Sequence, residues 1–471
     1  MVANIYFGSQ ETSRQELTQR LSPYSGEVVS MAAVCNADDA KKALLIAKEA
    51  SKETKKSTIA QRCSWLLDVA QKLRETKEDM AKIITDEVGK PIAFSRVEVE
   101  RCIETVTLCA ETMRTMHGET INTDAMSSGK KTTAFFLRES AGVVVAITPF
   151  NFPLNLVAHK LAPALVAGNA VVLKPTPEAP LSAYKFAKLF IESKYALKDA
   201  LSVVYGDAEV GGALVSSDIP RVISFTGSVP VGNIIAKSAG IKKVSLELGG
   251  NAATYIDESA DLDLAASRCA IGAFVNSGQV CISLQRIYVN AKIYDAFAQK
   301  MAQQTKKLVV GSPYDDDTFM GPLIDDEACK RAMGWVESAI EEGATAMLTP
   351  RVDGRLFYPC VMTDVRDDMA IVCEEVFAPI VSLVKVESFD DALPRINNSP
   401  YGLQFSIFTN DLSLTKRAIY ELDAGGVVIN DMPTLRFDIQ PYGGVKLSGV
   451  GREGPRFAIE EMSEIKSVVI C

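Results

Sequence analysis

The chain contains 471 residues, 47% hydrophobic and 23% charged, a composition typical of a globular protein with roughly three structural units. Its formal charge of −9 argues against nucleic acid as the main partner, because such binding requires basic side chains that neutralise phosphates. Ten cysteines include no C-x-x-C pair, and only two histidines accompany them, so zinc-ligand spacing is absent. We expect neither a nucleic-acid partner nor a metal.

The N-terminal sequence MVANIYFGSQ has neither a basic nor an apolar leader region, so we expect a cytoplasmic protein with reduced thiols. The most apolar stretch, residues 141–175, is interrupted by Pro149, Pro153 and Pro163 and by several polar residues. This stretch therefore predicts buried strands and a helix, with no membrane span.

The predicted elements divide the chain into two α/β lobes. Residues 37–116 carry apolar side chains at three-to-four spacing, which predicts consecutive amphipathic helices. From residue 141, short β-branched runs such as AGVVVAITP and NAVVLKP alternate with helical segments, and this alternation predicts a doubly wound parallel sheet. The same alternation restarts after Glu247, which predicts a second α/β lobe.

Two further segments are predicted to leave the lobes. Residues 120–138 predict two polar strands around a Ser-Gly turn, and the terminal EIKSVVIC predicts one more strand. Strands with exposed edges can pair between subunits, so we expect a homodimer or homotetramer.

Three side chains are candidates for catalysis. Cys281 follows the tight segment Ser277–Gln279 at a predicted helix–strand junction, although most free cysteines are small buried hydrophobes. Glu247 lies in a nearly apolar run, where desolvation would raise its pKa into the range of a general base; the alternative is the solvated face of a strand. Asn151 follows a strand between two prolines, which suits an oxyanion donor or an ordinary turn residue.

The sequence motifs for a dinucleotide site are weaker than those for the catalytic residues. No G-x-G-x-x-G follows a strand, but Gly227 and Gly232 in FTGSVPVG bracket four residues, and Ser228 stands where a phosphate would meet a helix start. Lys174, at the end of NAVVLKP, would reach a ribose or phosphate if the site binds a dinucleotide. The alternative is a structural lysine whose side chain lies along apolar surface.

Considered together, these motifs resemble the aldehyde dehydrogenase superfamily, non-acylating branch, over nearly the whole chain. The segments that carry the resemblance are TPFNFP (148–153), APALVAGNAVVLKP (162–175), SFTGSVPVG (224–232), LELGGN (246–251), SGQVC (277–281), EEVFAPI (374–380) and PYGGVKLSGVGRE (441–453). Glu247 precedes Cys281 by 34 residues, an interval that also matches the family.

The resemblance implies a Rossmann-like coenzyme domain (1–117 and 141–249), a catalytic α/β domain (250–450) and oligomerisation strands (118–140 and 455–471). It implies Cys281 as the nucleophile, Glu247 as the general base and Asn151 as the oxyanion donor. The implied reaction oxidises an aldehyde with NAD or NADP through a thiohemiacetal and a thioester, which water then hydrolyses. The residues it implies for cofactor binding are Thr148, Pro149, Phe150, Lys174, Pro177, Glu178, Gly206, Gly227, Ser228, Gly232, Leu248, Glu375 and Phe377.

The sequence departs from the family pattern at two places. Phe150 replaces the common Trp beside the catalytic Asn, a tolerable aromatic exchange. NAD-preferring relatives often carry Glu three residues after the matched Lys, where this chain has Pro177 followed by Glu178. Strict NAD specificity therefore does not follow, and the cofactor preference stays open.

Arg101, His159 and Arg436 lie in segments that line the substrate tunnel in this family. They predict a small hydroxylated or anionic aldehyde, as in the lactaldehyde, glyceraldehyde and phosphonoacetaldehyde branches. The alternatives are an ion pair of Arg101 with Glu98 or Glu104 along its helix, and a buried structural imidazole at His159.

Three other functions compete with this hypothesis. An acylating relative would pass the thioester to coenzyme A, but Glu247 favours hydrolysis. A cofactor-free thiol hydrolase would use Cys281 with His159 as its base. A fold retained only for binding is disfavoured by the intact Cys, Glu and Asn set.

Overall fold

Fifteen helices form in the computed structural model, which describes residues 1–471. The amphipathic pattern of residues 37–116 correctly predicted the first four. None of the helices combines the length and apolar character that a bilayer span requires. The helices are α1 Ala37–Thr54, α2 Ile59–Glu75, α3 Lys77–Val88, α4 Ile92–Thr115, α5 Asn155–Val166, α6 Pro180–Ile191, α7 Ala208–Ser216, α8 Val229–Ser238, α9 Leu262–Phe274, α10 Tyr294–Thr305, α11 Asp326–Glu341, α12 Ala370–Cys373, α13 Phe389–Asn397, α14 Leu412–Glu421 and α15 Pro455–Glu461.

The strands build two large sheets and several small ones. They are β1 Val2–Ala3, β2 Ile5–Phe7, β3 Gln10–Thr12, β4 Leu17–Leu21, β5 Val28–Ala33, β6 Glu119–Thr120, β7 Thr133–Ser140, β8 Val143–Ile147, β9 Ala170–Lys174, β10 Leu201–Val203, β11 Val222–Thr226, β12 Lys243–Glu247, β13 Ala252–Ile256, β14 Leu284–Asn290, β15 Thr345–Leu348, β16 Val352–Asp353, β17 Leu356–Phe357, β18 Cys360–Thr363, β19 Ile380–Val386, β20 Tyr401–Gly402, β21 Gln404–Phe408, β22 Gly426–Ile429, β23 Val445–Lys446, β24 Gly449–Val450 and β25 Ser463–Ile470.

The first large sheet has the order β24-β12-β11-β8-β9-β10-β2-β3, and its five central strands are parallel. Every residue of β8 and β9 is buried, because helices cover both faces of the sheet. Ile147 pairs with Lys174, and Thr226 pairs with Glu247. The chemistry-bearing residues that end these strands therefore meet at one edge, as parallel strands require. This sheet confirms the predicted doubly wound α/β fold.

The second large sheet has the order β15-β18-β19-β14-β13-β21-β22 and is parallel except for β15. Helices α9 and α10 pack against it, the short segment Val275–Gly278 follows α9, and Cys281 lies just before β14. The second α/β lobe predicted after Glu247 is therefore present.

The segment before Glu453 returns to the first sheet. In β24, Gly449 pairs with Glu247 and Val450 pairs with Leu246. Backbone pairing therefore places β24 in the first sheet, although it falls at the end of the predicted catalytic domain, 250–450. The predicted domain boundaries stay predictions.

The strands predicted for oligomerisation form a small sheet with the order β25-β7-β6. Strand β25 pairs with β7 of the same chain from Ser463 opposite Ser140 to Ile470 opposite Thr133. The predicted hairpin around a Ser-Gly turn is only partly correct, since β6 is two residues long at Glu119–Thr120 and residues 121–132 connect it to β7. The other edge of β25 has no strand partner in this chain.

Candidate active site

A cavity of about 720 Å³ opens at the carboxyl edge of the first sheet and is walled on its other side by the second lobe. Most of the residues predicted for catalysis and binding line it. These are Arg101, Thr148, Pro149, Phe150, Asn151, Lys174, Pro177, Glu178, Gly227, Ser228, Glu247, Leu248, Cys281, Glu375, Phe377 and Arg436. The predicted residues outside its lining are Gly206, Gly232 and His159.

Cys281 is held at the cavity by an unusual backbone segment. Asn276 and Ser277 have positive φ angles of 51° and 55°, and the Ser277 hydroxyl donates to the Gly321 carbonyl at 2.7 Å. A side chain at Gly278 would lie 2.2 Å from the Ala378 carbonyl oxygen, so only glycine fits there. The Ser-Gly-Gln segment thus fixes where the sulfur enters the cavity.

The thiol of Cys281 lies 3.1 Å from the hydroxyl of Tyr442. Burial raises the pKa of Cys281 to about 11, while the hydrogen bond with Tyr442 and the positive charge of Arg436 oppose this rise. Since the thiolate is the nucleophilic form, those two residues favour reactivity.

Glu247 ends β12 as a buried carboxyl group. Neither carboxyl oxygen accepts a hydrogen bond. Burial raises the pKa of Glu247 well above its ordinary value, and the negative charge of Glu453 raises it further. The alternative of a solvated strand face is wrong, because both Ser245 and Glu247 are buried.

Glu453 has the opposite electrostatic environment. Its carboxylate pairs with Lys160 Nζ at 3.0 Å and with Arg436 Nη2 at 3.2 Å. Burial alone would raise the pKa of Glu453, but Lys160, His159 and Arg436 lower it to about 2. The two neighbouring carboxyl groups therefore differ in pKa: Glu247 holds a proton readily, whereas Glu453 stays ionised.

Asn151 lies in the loop between β8 and α5. Its side-chain oxygen accepts the Phe152 backbone N–H at 3.1 Å, which leaves the amide N–H₂ without an acceptor. Glu98 accepts the backbone N–H groups of Leu154 and Asn155 at 2.9 and 3.1 Å, and its other oxygen pairs with the buried ammonium of Lys90. The start of α5 is thereby fixed close to Asn151.

The opposite end of the cavity has the features of a dinucleotide site. Ser228 precedes α8, and its side chain makes no capping bond, so the first N–H groups of this helix remain available to a phosphate. The buried ammonium of Lys174 makes no hydrogen bond, and burial lowers its pKa. The hydroxyls of Thr148 and Thr226 are buried without partners. These orphaned donors fit a nicotinamide dinucleotide.

Nearer to Cys281, Glu375 and Phe377 complete this wall. A Glu375 oxygen accepts the Gly250 backbone N–H at 3.0 Å, and burial raises the pKa of Glu375 to about 7. The rings of Phe150 and Phe377 meet edge to face at 6.1 Å, so Phe150 supplies aromatic surface where the family commonly has Trp.

Two glycines predicted to bind the cofactor also have packing roles. A Cβ at Gly206, where φ is +137°, would lie 2.5 Å from a Val210 methyl group, and a Cβ at Gly232 would lie 2.5 Å from Leu248. Both glycines lie outside the cavity lining and allow neighbouring elements to approach one another, and their predicted cofactor contacts stay predictions.

The residues predicted to bind substrate lie in and beside a further part of the cavity. Arg101 and Arg436 line the cavity, whereas His159 is buried outside its lining and bonds Asp438 at 2.9 Å. The contact of His159 with substrate stays a prediction. Arg101 pairs with Asp438 rather than with Glu98 or Glu104 on its own helix. The position of the loop that carries Asp438 determines the contacts of both Arg101 and His159.

Sequence reasoning missed Lys90, Glu98, Asp438 and Tyr442 as residues of this region. Tyr442 and Glu453 fall inside the motif PYGGVKLSGVGRE, which signalled only membership in the resembled family. No spacing rule pairs Asp438 with Arg101 or Glu98 with α5, because these contacts depend on how distant elements pack.

Comparisons with known proteins agree with this geometry. The sequence model of the aldehyde dehydrogenase family matches residues 9–468. The chain is 43% identical over 464 residues to 3-sulfolactaldehyde dehydrogenase of Priestia aryabhattai, covering 98% of this chain and 96% of the relative. It is 40% identical over 455 residues to lactaldehyde dehydrogenase of Methanocaldococcus jannaschii, covering 96% of each.

A solved structure shows the same fold. The NADP-dependent glyceraldehyde-3-phosphate dehydrogenase of Bacillus halodurans C-125, complexed with NADP, superposes with a TM-score of 0.97 at 34% identity, covering 100% of this chain and 99% of the other. The chain therefore belongs to the aldehyde dehydrogenase family, whose NAD(P)-dependent oxidoreductase chemistry its motifs predicted.

Proposed function

We propose that the protein oxidises a small hydroxylated or anionic aldehyde to its carboxylic acid, with NAD or NADP, through a covalent Cys281 intermediate that Glu247-activated water hydrolyses. The observation that carries this proposal is one cavity containing the Cys281 thiol, an unpartnered Glu247 carboxyl group and the free amide of Asn151. The same cavity contains the orphaned donors of the dinucleotide site.

In the first half of the reaction, the Cys281 sulfur attacks the aldehyde carbon and forms a C–S bond. The carbonyl oxygen gains negative charge, and the Asn151 amide N–H₂ donates to it with the Cys281 backbone N–H. A nicotinamide dinucleotide held by Lys174, Ser228 and Glu375 would supply the acceptor for the hydride that leaves this carbon. The oxyanion collapses to a carbonyl, which leaves a thioester on Cys281.

In the second half, Glu247 accepts a proton from a water molecule that attacks the thioester carbon. The C–S bond breaks, the sulfur leaves as a thiolate, and the carboxylic acid is released. Because both oxygens of Glu247 lack hydrogen-bond partners in the protein, they are free to bind this water. Glu247 thus favours hydrolysis over transfer of the acyl group to coenzyme A.

The proposed substrate class rests on the polar groups at the inner end of the cavity. Arg436 Nε and Thr434 Oγ1 are buried donors without hydrogen-bond partners, and both residues line the cavity. A hydroxyl, carboxylate or sulfonate on a short aldehyde would satisfy them. The two relatives described above act, by their names, on sulfolactaldehyde and lactaldehyde.

The cofactor-free thiol hydrolase receives no support from the site. That hypothesis requires His159 as a base for Cys281, whereas His159 lies outside the cavity lining and bonds Asp438. Burial also lowers the pKa of His159, and its ring is held by Asp438 away from the sulfur.

We also propose a cytoplasmic homodimer or homotetramer. All ten cysteines are free, which fits a reducing compartment. The exposed edge of β25 presents backbone donors and acceptors that a second subunit can pair. Light scattering of the purified protein tests the assembly, and a monomer at micromolar concentration would contradict it.

The test of the proposed function measures aldehyde-dependent formation of reduced cofactor. Cys281→Ala should abolish turnover, whereas Cys373→Ala, a partly exposed cysteine outside the cavity lining, should retain it. A panel of short hydroxylated, short anionic and long aliphatic aldehydes tests the substrate class. Turnover in Cys281→Ala, or a preference for the long aliphatic aldehydes, would overturn the corresponding part of the proposal.

A further inference from the structure

The hydroxyl of Tyr442 is the one side-chain group that hydrogen-bonds the sulfur of Cys281, at 3.1 Å. Tyr442 lies on the loop before β23, and its residue is almost fully buried. The proposed reaction gives this hydroxyl no role. It needs explanation because the sulfur alternates between a neutral thiol, a thiolate and a bonded state.

The ring of Tyr442 is held in place by a charged side chain. The Arg436 guanidinium lies 3.7 Å from the ring centroid, in the geometry of a cation–π contact. Arg436 is in turn paired with Glu453 at 3.2 Å. A buried chain of contacts therefore leads from Glu453 through Arg436 and the Tyr442 ring to the nucleophile.

We propose that Tyr442 is a further catalytic residue, whose hydroxyl donates a hydrogen bond to the Cys281 thiolate and stabilises the form that attacks the aldehyde. This inference rests on the proposed role of Cys281 as the nucleophile. The thiol proton passes to solvent water, the sulfur keeps the electron pair, and the phenol keeps its own proton. When the thiolate leaves the thioester, the same hydroxyl receives it.

The charges that face the sulfur are consistent with this direction of donation. Tyr442 and Arg436 come from one loop, Glu375 from the segment after α12, and Glu247 from β12. The two carboxyl groups disfavour a thiolate when ionised, whereas Arg436 favours it. Burial raises the pKa of Tyr442 well above its ordinary value, so the phenol remains a donor when the thiol ionises.

The test is the pH dependence of iodoacetamide alkylation at Cys281, quantified on its peptide by mass spectrometry because the chain has ten cysteines. In Tyr442→Phe, the alkylation midpoint should rise by about one pH unit, with alkylation about tenfold slower below both midpoints. Tyr255→Phe, a buried tyrosine of the second lobe that packs on Phe389, should match the wild type. Coincident profiles for Tyr442→Phe and the wild type would overturn the proposal.

A second variant covers the case in which Tyr442→Phe fails to fold. Replacing Tyr442 by 3-fluorotyrosine keeps the shape of the ring and makes the hydroxyl a stronger donor, so the alkylation midpoint should fall. An unchanged midpoint would contradict donation from Tyr442. Loss of turnover in Cys281→Ala tests the nucleophile separately, so the two hypotheses can fail independently.

Discussion

Asp438 and Arg101 form a bidentate ion pair, with Nε to Oδ2 at 2.9 Å and Nη2 to Oδ1 at 2.8 Å. The same Oδ1 accepts from His159 Nε2 at 2.9 Å and lies 3.7 Å from Arg436 Nε. One carboxylate thus offsets positive charge at the inner end of the cavity. The charge that an aldehyde meets there depends on Asp438 as much as on the two arginines.

Asp438→Asn should increase selectivity for anionic aldehydes. Without the carboxylate, Arg101 and Arg436 present more positive charge, so the ratio of kcat/KM for a carboxylated over a neutral hydroxylated short aldehyde should rise about tenfold. Loss of a buried ion-pair partner should also lower the free energy of unfolding by about 3 kcal/mol. Steady-state kinetics and urea denaturation measure the two effects.

Asp431→Asn is the control for this prediction. Asp431 lies on the same loop as Asp438 and pairs with Arg268 of α9, but neither Asp431 nor Arg268 lines the cavity. It should leave the ratio of the two kcat/KM values unchanged. The same ratio in wild type and Asp438→Asn would contradict the assigned role of Asp438.

The buried pair of Lys90 and Glu98 should support both stability and turnover. Glu98→Gln leaves the Lys90 ammonium without its counter-charge, and it weakens the acceptor for Leu154 and Asn155 N–H groups. We expect a loss of roughly 3 to 5 kcal/mol in the free energy of unfolding. We also expect a lower kcat, because the Asn151 loop loses its anchor.

The double variant Lys90→Met/Glu98→Gln should be less destabilised than the sum of its single variants, since it leaves no unpaired charge. Urea denaturation of all four proteins completes the cycle. Additive effects would show that the two side chains do not act as a pair.

Hydrolysis of the thioester should accelerate as the pH rises through the raised pKa of Glu247, because only the carboxylate accepts a proton from water. The same shift affects stability. The folded-state pKa lies above the unfolded value, so the stabilisation from proton binding is complete below the ordinary carboxyl pKa and is lost as the pH rises through the folded pKa.

Rapid quenching followed by mass spectrometry of the acyl-enzyme measures this rate at each pH. In Glu247→Gln the acyl-enzyme should accumulate, and the Glu247-dependent rise should disappear. A wild-type rate that does not vary with pH would contradict Glu247 as the base.

Glu178→Gln should shift cofactor use toward NADP. Glu178 lines the cavity beside Pro177 and near the ammonium of Lys174, so its negative charge opposes a 2′-phosphate. We expect the ratio of kcat/KM for NADP over NAD to rise about tenfold. Glu192→Gln, at the exposed end of α6, should leave the ratio unchanged, and an unchanged ratio in Glu178→Gln would remove this residue from cofactor selection.

The residue pattern is sufficient to predict the wall of the site that the first lobe forms. Continuous apolar strands followed by Asn151, Lys174 and Glu247 predicted a parallel sheet, and the ends of parallel strands must meet at one edge. Local patterns are sufficient here because runs of consecutive apolar residues, alternating with helical segments, predict buried parallel strands. The resemblance then implied the role of Cys281 as the nucleophile and the roles of the remaining motifs.

The groups that neutralise, hold or desolvate these side chains are set by three-dimensional packing. The contacts of Tyr442 with Cys281, Asp438 with Arg101 and Glu98 with α5 join elements that lie far apart along the chain. Burial of Glu247 likewise depends on the returning strand β24 and on the facing lobe. The strength of these ion pairs and hydrogen bonds depends on distance in space, so residue spacing along a chain does not specify them.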